Sequence, residues 1–283
     1  MRRIGLIGQG LKHSLSAVMQ QAALDHHGLD ARYELWDTQP EEVEERVASL
    51  RQEGCLGANV TVPHKQAVIP FLDELDAVAA KAGAVNTIVP QEGRLAGHNT
   101  DVVGFIVALS EAGFEVLGVR AAVLGAGGGA RAVTLALILS GADLITISDA
   151  IPERAAALTS DLREVASPQT TLTCTYWDDA AFQRSVGECG LLVNCTPVGM
   201  RFGPAEGQSP VAADLMPAGC LAFDLVYNPE ETPFLRAARL RGARAVGGLA
   251  MLVHQGAASF QHWTGREAPV DVMFEAARKA LAD

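Results

Sequence analysis

The chain has 283 residues, 49% hydrophobic and 19% charged, a composition that supports a packed core and excludes a disordered polyelectrolyte. Its 22 Lys and Arg against 33 Asp and Glu give a net charge of −11, and no basic run reverses that field, which argues against nucleic acid or a membrane surface as a partner. The length favours one large or two modest domains. The five cysteines, Cys55, Cys174, Cys189, Cys195 and Cys220, follow no zinc or disulfide spacing. A reducing, cytoplasmic setting without a metal is therefore expected. The start MRRIGLIGQG is too short an apolar stretch for a signal peptide, and no apolar run reaches the roughly 18 residues of a membrane span.

In chain order, Ile4 to Ile7 reads as a buried strand stopped by Gly8 and Gly10, and residues 16–27 carry apolar positions at helical spacing. Residues 33–36 predict a strand, and 40–52 a helix opened by Pro40 and an acidic first turn. A strand over 56–62 is closed by Pro63, and residues 84–95 form a hairpin about Gly93. Then come a helix over 102–111, a strand over 120–124, the run GAGGGA, and a helix over 130–140. Strands follow at 144–148, 171–175, 191–194, 221–225 and 245–246, with helices at 152–163, 249–263 and 270–281. This alternation predicts an α/β protein with a mainly parallel sheet. The glycine-rich turn lies well inside the chain, so a Rossmann-like dinucleotide-binding domain is expected at 103–247. It is inserted into a discontinuous α/β substrate domain formed by 1–102 and 248–283.

The segment Gly125-Ala126-Gly127-Gly128-Gly129-Ala130 has the spacing G-x-G-x-x-A between a strand and a helix. Gly125 permits the tight turn, Gly127 lets the backbone approach a diphosphate, and Ala130 packs helix on sheet. The diphosphate would rest on the unpaired N–H groups of the helix start. Asp149 ends the next strand, 24 residues beyond Gly125. Its carboxylate can bond the ribose hydroxyls of NAD and repel the 2′-phosphate of NADP, or it can cap the following helix.

Other polar residues fall where strands end. Ser14 and Ser16 can grip a carboxylate or cap a helix. Asn59 and Thr61 alternate onto one strand face, and the turn at Pro63 presents Lys65 beside it. A lysine with a carboxylate partner can exchange a proton with a carbon-bound hydroxyl, and Asp101 is the candidate partner. Asn86 offers a donor and an acceptor, and Gln255 lies on an apolar helix. The histidines form no metal-ligand set with Cys or acidic neighbours.

These segments together resemble the shikimate dehydrogenase family, and specifically its NAD-preferring quinate/shikimate dehydrogenase branch. The resemblance is carried in order by GLIGQGLKHSLS, NVTVPHKQAVIPFLD, AGAVNTIV, GHNTDVVGF, VLGAGGGARAV, NCTPVGM, FDLVYNPEETPFL and GGLAMLVHQGAASFQHWTG. It implies reversible hydride transfer between a ring hydroxyl of shikimate or quinate and a nicotinamide, giving the 3-dehydro forms. By that resemblance Lys65 and Asp101 are the catalytic pair. Ser14, Ser16 and Tyr227 bind the substrate carboxylate, and Thr61, Asn86 and Gln255 hold hydroxyls. Gly125, Ala126, Gly127, Gly128 and Gly129 cradle the cofactor, with Thr196, Val226, Gly248 and Met251 toward the nicotinamide. The resemblance is compatible with a homodimer.

Two departures stand out. Gly10 replaces the usual proline of the G-x-P-x-x-H-S start, and Ala17, Gln20 and Gln21 alter the motif that follows. Asp149-Ala150-Ile151 replaces the Asn-Arg-Thr of NADP-dependent relatives, which points to NAD. The alternatives are an NADP-dependent biosynthetic shikimate dehydrogenase, a member acting on an aminated shikimate analogue, and a non-catalytic nucleotide-binding sensor.

Overall fold

The computed structural model describes residues 1–177 and 179–282. The chain forms two compact units, Met1–Gly104 with Leu252–Asp283, and Phe105–Met251.

The first unit contains β1 (Arg2–Gly8), α1 (Ser16–His26), β2 (Ala31–Asp37), α2 (Val43–Ala48), β3 (Cys55–Val60), β4 (Glu74–Leu75), α3 (Ala77–Ala82), β5 (Thr87–Gln91) and β6 (Arg94–His98). The helix α4 (Asp101–Glu111) leads out of it. Its sheet runs β2-β1-β3-β5-β6-β4. β1 pairs parallel with β2 and β3, whereas β5 pairs antiparallel with β3 and β6. The β5–β6 pair is the hairpin about Gly93, whose turn is made by Glu92 and Gly93 at φ 50° and 80°. With β4 parallel to β6 as well, the sheet is mainly parallel as expected, and β5 is its antiparallel strand. The predicted 40–52 helix is broken into a 3-10 turn at Pro40–Glu42, α2, and a second 3-10 turn at Ser49–Arg51.

One face of the sheet buries Val43, Val47, Leu50, Ala58, Val60 and Ile88. Elsewhere in the unit the buried core includes Met19 and Leu24, and Val253 and Phe260 of α9 (Leu249–Thr264), with Met273 of α10 (Val270–Ala282). α9 approaches α1 closely at Gly256, where an added Cβ would lie 2.5 Å from Met19 Cε. The Gln20 amide donates to the Gly256 carbonyl at 2.8 Å.

Gly57 in β3 is a second close approach. Its φ is +143°, and a Cβ there would lie 2.3 Å from the Ile88 carbonyl oxygen and 2.5 Å from Trp263 Nε1. Trp263 Nε1 donates to that same carbonyl at 3.1 Å. A methyl would therefore add backbone strain and displace a hydrogen-bonded indole together. Gly57→Ala is expected to lose about 3 kcal/mol or more, read as a fall in the urea midpoint followed by Trp fluorescence. An unchanged midpoint would refute this.

The second unit holds β7 (Arg120–Leu124), α5 (Gly128–Leu139), β8 (Leu144–Asp149), α6 (Pro152–Arg163), β9 (Thr171–Tyr176), α7 (Ala180–Gly187), β10 (Leu191–Asn194), β11 (Leu221–Asp224), α8 (Pro233–Leu240) and β12 (Arg244–Val246). Its sheet is parallel throughout, in the order β12-β11-β10-β7-β8-β9. That is the doubly wound order of a Rossmann fold, with its topological switch between β7 and β10. The apolar runs of β7 and β10 fit strands covered on both faces, and Val123, Leu191, Leu192 and Val193 are fully buried.

Three helices lie beyond the predicted set, α3, α7 and α8. Each is short and marked by its cap. Asp76 Oδ1 accepts from Ala79 N at 2.6 Å, Asp179 Oδ1 from Phe182 N at 2.6 Å, and Thr232 Oγ1 from Leu235 N at 3.2 Å. The five cysteines are free. Among the described residues no helix is long and apolar enough to cross a membrane, and no cluster of three or more His, Cys, Asp or Glu could hold a metal.

Asp224 ends β11 fully buried. It accepts from Asn194 Nδ2 at 2.9 Å, Val226 N at 3.0 Å and Thr232 Oγ1 at 2.6 Å. Burial raises its pKa from 3.8 to about 6, against the opposing pull of those three donors. Between these two values the folded chain keeps a proton that the unfolded chain releases. Stability from this group is therefore full below pH 3.8 and is lost as pH rises toward 6, by on the order of 3 kcal/mol. Asp224→Asn keeps an oxygen for Asn194 and Val226 and removes that dependence. The difference in unfolding free energy between variant and wild type should shift in the variant's favour by that amount from pH 4 to 7. A pH-independent difference would contradict the assignment.

Candidate active site

Lys65 sits in the loop that follows β3. Thr61 N donates to the Ile7 carbonyl at 2.8 Å, and His64 N to the Thr61 carbonyl at 2.9 Å. The buried His64 ring bonds the Thr38 carbonyl through Nε2 at 2.7 Å, so this nitrogen carries the proton. The Lys65 carbonyl accepts from Val85 N at 2.7 Å. With its backbone pinned on both sides, Lys65 brings Nζ to 2.6 Å from Asp101 Oδ2, the two side chains being 14% and 6% exposed. Asp101 is the first residue of α4, where the helix dipole favours a carboxylate.

Asn86 completes the pair. Its Nδ2 donates to Asp101 Oδ1 at 2.9 Å and to Thr100 Oγ1 at 2.8 Å, with Gln255 Oε1 at 3.2 Å. Its Oδ1 accepts from Thr100 N at 2.8 Å. Since a carboxylate only accepts, Asp101 fixes which end of the Asn86 amide faces it. Lys65, Asp101, Asn86 and Gln255 thus form one connected group.

Behind it lies a buried polar layer that the sequence reading did not assign. Asn59 Nδ2 donates to the Asn86 carbonyl at 3.1 Å and to Ser259 Oγ at 3.0 Å, and its Oδ1 accepts from Tyr33 OH at 2.8 Å. Burial pushes the Tyr33 phenol above its ordinary range. Thr87, Thr100 and Ser259 add three hydroxyls to this layer. The available signal was local: polar Asn59 and Thr87 interrupt strands that are otherwise apolar.

Ser16 opens α1 and is 7% exposed, while Ser14 is half-buried and its Oγ accepts from Ser16 N at 3.3 Å. Thr61 lies just past β3 rather than within it, against Gly8 at the end of β1. These residues gather where β1, β3 and β6 end and β5 begins. The other predicted substrate residue, Tyr227, belongs to the second unit, half-buried beyond β11. Gly10 has φ +64°, which a proline cannot adopt, and its N–H donates to Asp37 Oδ1 at 3.3 Å. The loop before Ser14 therefore takes a course closed to proline.

In the second unit Gly125 takes φ +103°, and a Cβ there would press on Cys195 and Thr196 at 3.2 Å. The loop after β7 thus lies against the loop after β10, at the switch point of the sheet. Gly127 caps α5 and a Cβ on it would meet nothing within 4 Å. Gly128 and Gly129 belong to the first helical turn, so α5 starts two residues earlier than the predicted 130. With no side chain on its cap, the first-turn N–H groups remain directed outward. This suits an anionic diphosphate.

Asp149 does not cap α6, whose cap residue is Ile151. It braces the glycine loop, accepting from Ala126 N through Oδ2 at 2.8 Å and from Ile151 N through Oδ1 at 2.8 Å. Thr196 turns its hydroxyl onto Asn194 Oδ1 at 2.6 Å. Val226 and Met251 are buried, and a Cβ on Gly248 would lie 2.3 Å from the Leu225 carbonyl oxygen. Backbone packs on backbone there.

Comparison with known proteins agrees with this geometry. Residues 6–88 match the family described as "Shikimate dehydrogenase substrate binding domain", and residues 248–278 match "Shikimate 5'-dehydrogenase C-terminal domain". A relative from Symbiobacterium thermophilum, named shikimate dehydrogenase (NADP(+)), is 44% identical over 99% of this chain and 95% of its own. The Thermus thermophilus shikimate 5-dehydrogenase, solved with NADP(H) and shikimate, has a TM-score of 0.87 at 38% identity, covering 99% of this chain and 100% of its own. The Listeria monocytogenes shikimate 5-dehydrogenase, solved with shikimate and NAD, has a TM-score of 0.87 at 32% identity, covering 97% and 96%. From identity of this degree over nearly the whole length, the chain belongs to the shikimate dehydrogenase family.

Proposed function

We propose that this chain is an NAD-dependent shikimate dehydrogenase. The observation that carries the reaction class is the buried Lys65–Asp101 contact at 2.6 Å, with Asn86 closing the second oxygen of Asp101 at 2.9 Å. In the oxidising direction the Lys65 amine takes the hydroxyl proton as the C–H electron pair leaves the same carbon and C=O forms. In the reducing direction the ammonium returns that proton to the oxygen. Asp101 holds Nζ in place and stabilises the ammonium. Ser14 and Ser16 bind the substrate carboxylate, and Thr61, Asn86 and Gln255 meet the ring hydroxyls.

The first unit is accordingly the substrate and catalytic domain, and the second the dinucleotide-binding domain. The bound dinucleotide supplies the hydride acceptor or donor. Gly125, Ala126, Gly127, Gly128 and Gly129 would hold its diphosphate. Thr196, Val226, Gly248 and Met251 would flank the nicotinamide end. A preference for NAD is supported by Asp149, fixed at the end of β8 by two backbone N–H groups and followed by Ala150 and Ile151. A carboxylate there attracts ribose hydroxyls and repels a 2′-phosphate. The five free cysteines fit a reducing, cytoplasmic setting.

Initial rates with shikimate, quinate and an aminated shikimate analogue, each against NAD and NADP, test the proposal. Shikimate with NAD should give the highest kcat/KM. Nucleotide binding without turnover of any member of the panel would show a sensor instead.

A further inference from the structure

We infer that Ser259 is a positioning residue for the Lys65–Asp101 pair, holding the Asn86 carboxamide in place through Thr87 and Thr100; the inference rests on the dehydrogenase reading above. Ser259 is fully buried on α9, on the same helix face as Gln255. Its Oγ lies 3.0 Å from the Gln255 carbonyl oxygen, 3.0 Å from Asn59 Nδ2, 2.7 Å from Thr87 Oγ1 and 3.0 Å from Thr100 Oγ1.

Proton counting orders this cluster. The Gln255 carbonyl only accepts, and the single Ser259 proton is assigned to it. The two lone pairs of Ser259 then accept from Asn59 Nδ2 and from Thr87, the nearer threonine hydroxyl. The Thr100 proton is left for Asn86 Oδ1 at 3.1 Å, beside Thr100 N at 2.8 Å, while Thr100 Oγ1 accepts from Asn86 Nδ2 at 2.8 Å. Every hydroxyl is used once as a donor, and the pattern agrees with the Asn86 orientation that Thr100 N and Asp101 dictate, with Nδ2 offered to Asp101.

Without the Ser259 hydroxyl, Thr87 loses its acceptor and competes for Asn86 Oδ1, which lies 3.1 Å away. Asn59 and the Gln255 carbonyl each lose a partner as well. The added donor displaces the Thr100 hydroxyl from Asn86 Oδ1 and shifts the amide, and with it the alignment of Asp101 and Lys65. A shift of this kind reduces the chemical step more than substrate binding.

Thr264 supplies a control on the same helix. It makes the same hydroxyl-to-carbonyl bond, to Phe260 at 2.8 Å, and takes no part in the Asn86 cluster. Ser259→Ala is expected to lower kcat about tenfold and leave the KM for shikimate within about twofold. Thr87→Val frees a Ser259 lone pair for the Thr100 hydroxyl at 3.0 Å, which then leaves Asn86 Oδ1, and should do the same. The double variant should fall no further than the worse single variant, because both remove one interaction. In the 15N-labelled protein, hydrogen exchange of the Asn86 side-chain amide should quicken about tenfold in each variant and stay unchanged in Thr264→Ala. Unchanged exchange and kcat in Ser259→Ala, or the same losses in Thr264→Ala, would overturn the inference. If Ser259→Ala does not fold, Thr87→Val carries the test alone. If the wild type turns over neither shikimate nor quinate with either nucleotide, the dehydrogenase reading falls, and Asn86 exchange still judges Ser259.

Discussion

Lys65→Ala should lower kcat for shikimate oxidation by about 10³-fold, within the roughly 10²–10⁴-fold range of a general acid–base group. The size follows from the absence of a substitute. Among the contacts around Asp101, Asn86 and Thr100 present an amide and a hydroxyl, neither of which accepts a proton near neutral pH. In the variant Asp101 keeps Oδ1 on Asn86 and loses its ammonium partner at Oδ2. The KM for shikimate should change far less, because the proposed carboxylate ligands Ser14 and Ser16 are retained. Asp101→Asn separates the two roles of the carboxylate. It keeps the side chain's shape and removes the charge that stabilises the ammonium. Initial-rate kinetics over a range of shikimate concentrations checks both variants. A Lys65→Ala enzyme with near-normal kcat would end the assignment, whatever its KM.

Asp149→Asn should shift the ratio of kcat/KM for NADP to that for NAD by about 100-fold toward NADP. A unit charge beside a phosphate at about 4 Å, with the effective dielectric of a protein surface, is worth up to roughly 4 kcal/mol, and solvent at this half-buried position reduces that. About 2.7 kcal/mol remains, equivalent to the stated 100-fold. The variant also leaves one of the Ala126 and Ile151 N–H groups short of an acceptor, since an amide offers one oxygen where the carboxylate offers two. Part of the change should therefore appear as weaker NAD binding. The measurement is the pair of kcat/KM values with saturating shikimate, at low and high salt. A wild type that already prefers NADP, or a variant with the wild-type ratio, would remove Asp149 from the specificity role.

The boundaries of the longer elements were legible because their signals are local. Pro152 opens α6 and the apolar run Leu191–Asn194 is β10, both where the pattern placed them. The glycine turn was legible for the same reason: a positive φ at Gly125 is a property of one residue. Short helices such as α7 and α8 were not, because one or two turns give too few apolar positions to set a period, and the caps that mark them resemble ordinary turns. The broken helix over residues 40–52 reads as one because Pro40 and the acidic turn mark a start and no glycine or proline marks a stop before Gly54.

The chemistry divides along the same line. Lys65 and Asp101 are 36 positions apart, and each stands at the end of a recognisable strand or helix, so the chain order already suggested that they meet. Asp149 could be marked as important but not given its partners, since the Ala126 N–H it holds is presented by a loop 23 positions away. The layer behind Asn86 showed only as polar residues in apolar strands, without their partners. Asn59 and Ser259 lie 200 positions apart, and a buried serine in an apolar helix looks the same as a helix-packing residue until a neighbouring strand brings it partners. Backbone preference and apolar period act over a few residues and are written in the chain's order. Which hydroxyl satisfies which amide depends on distances of a fraction of an ångström between distant segments, and those exist only once helices and sheet have packed.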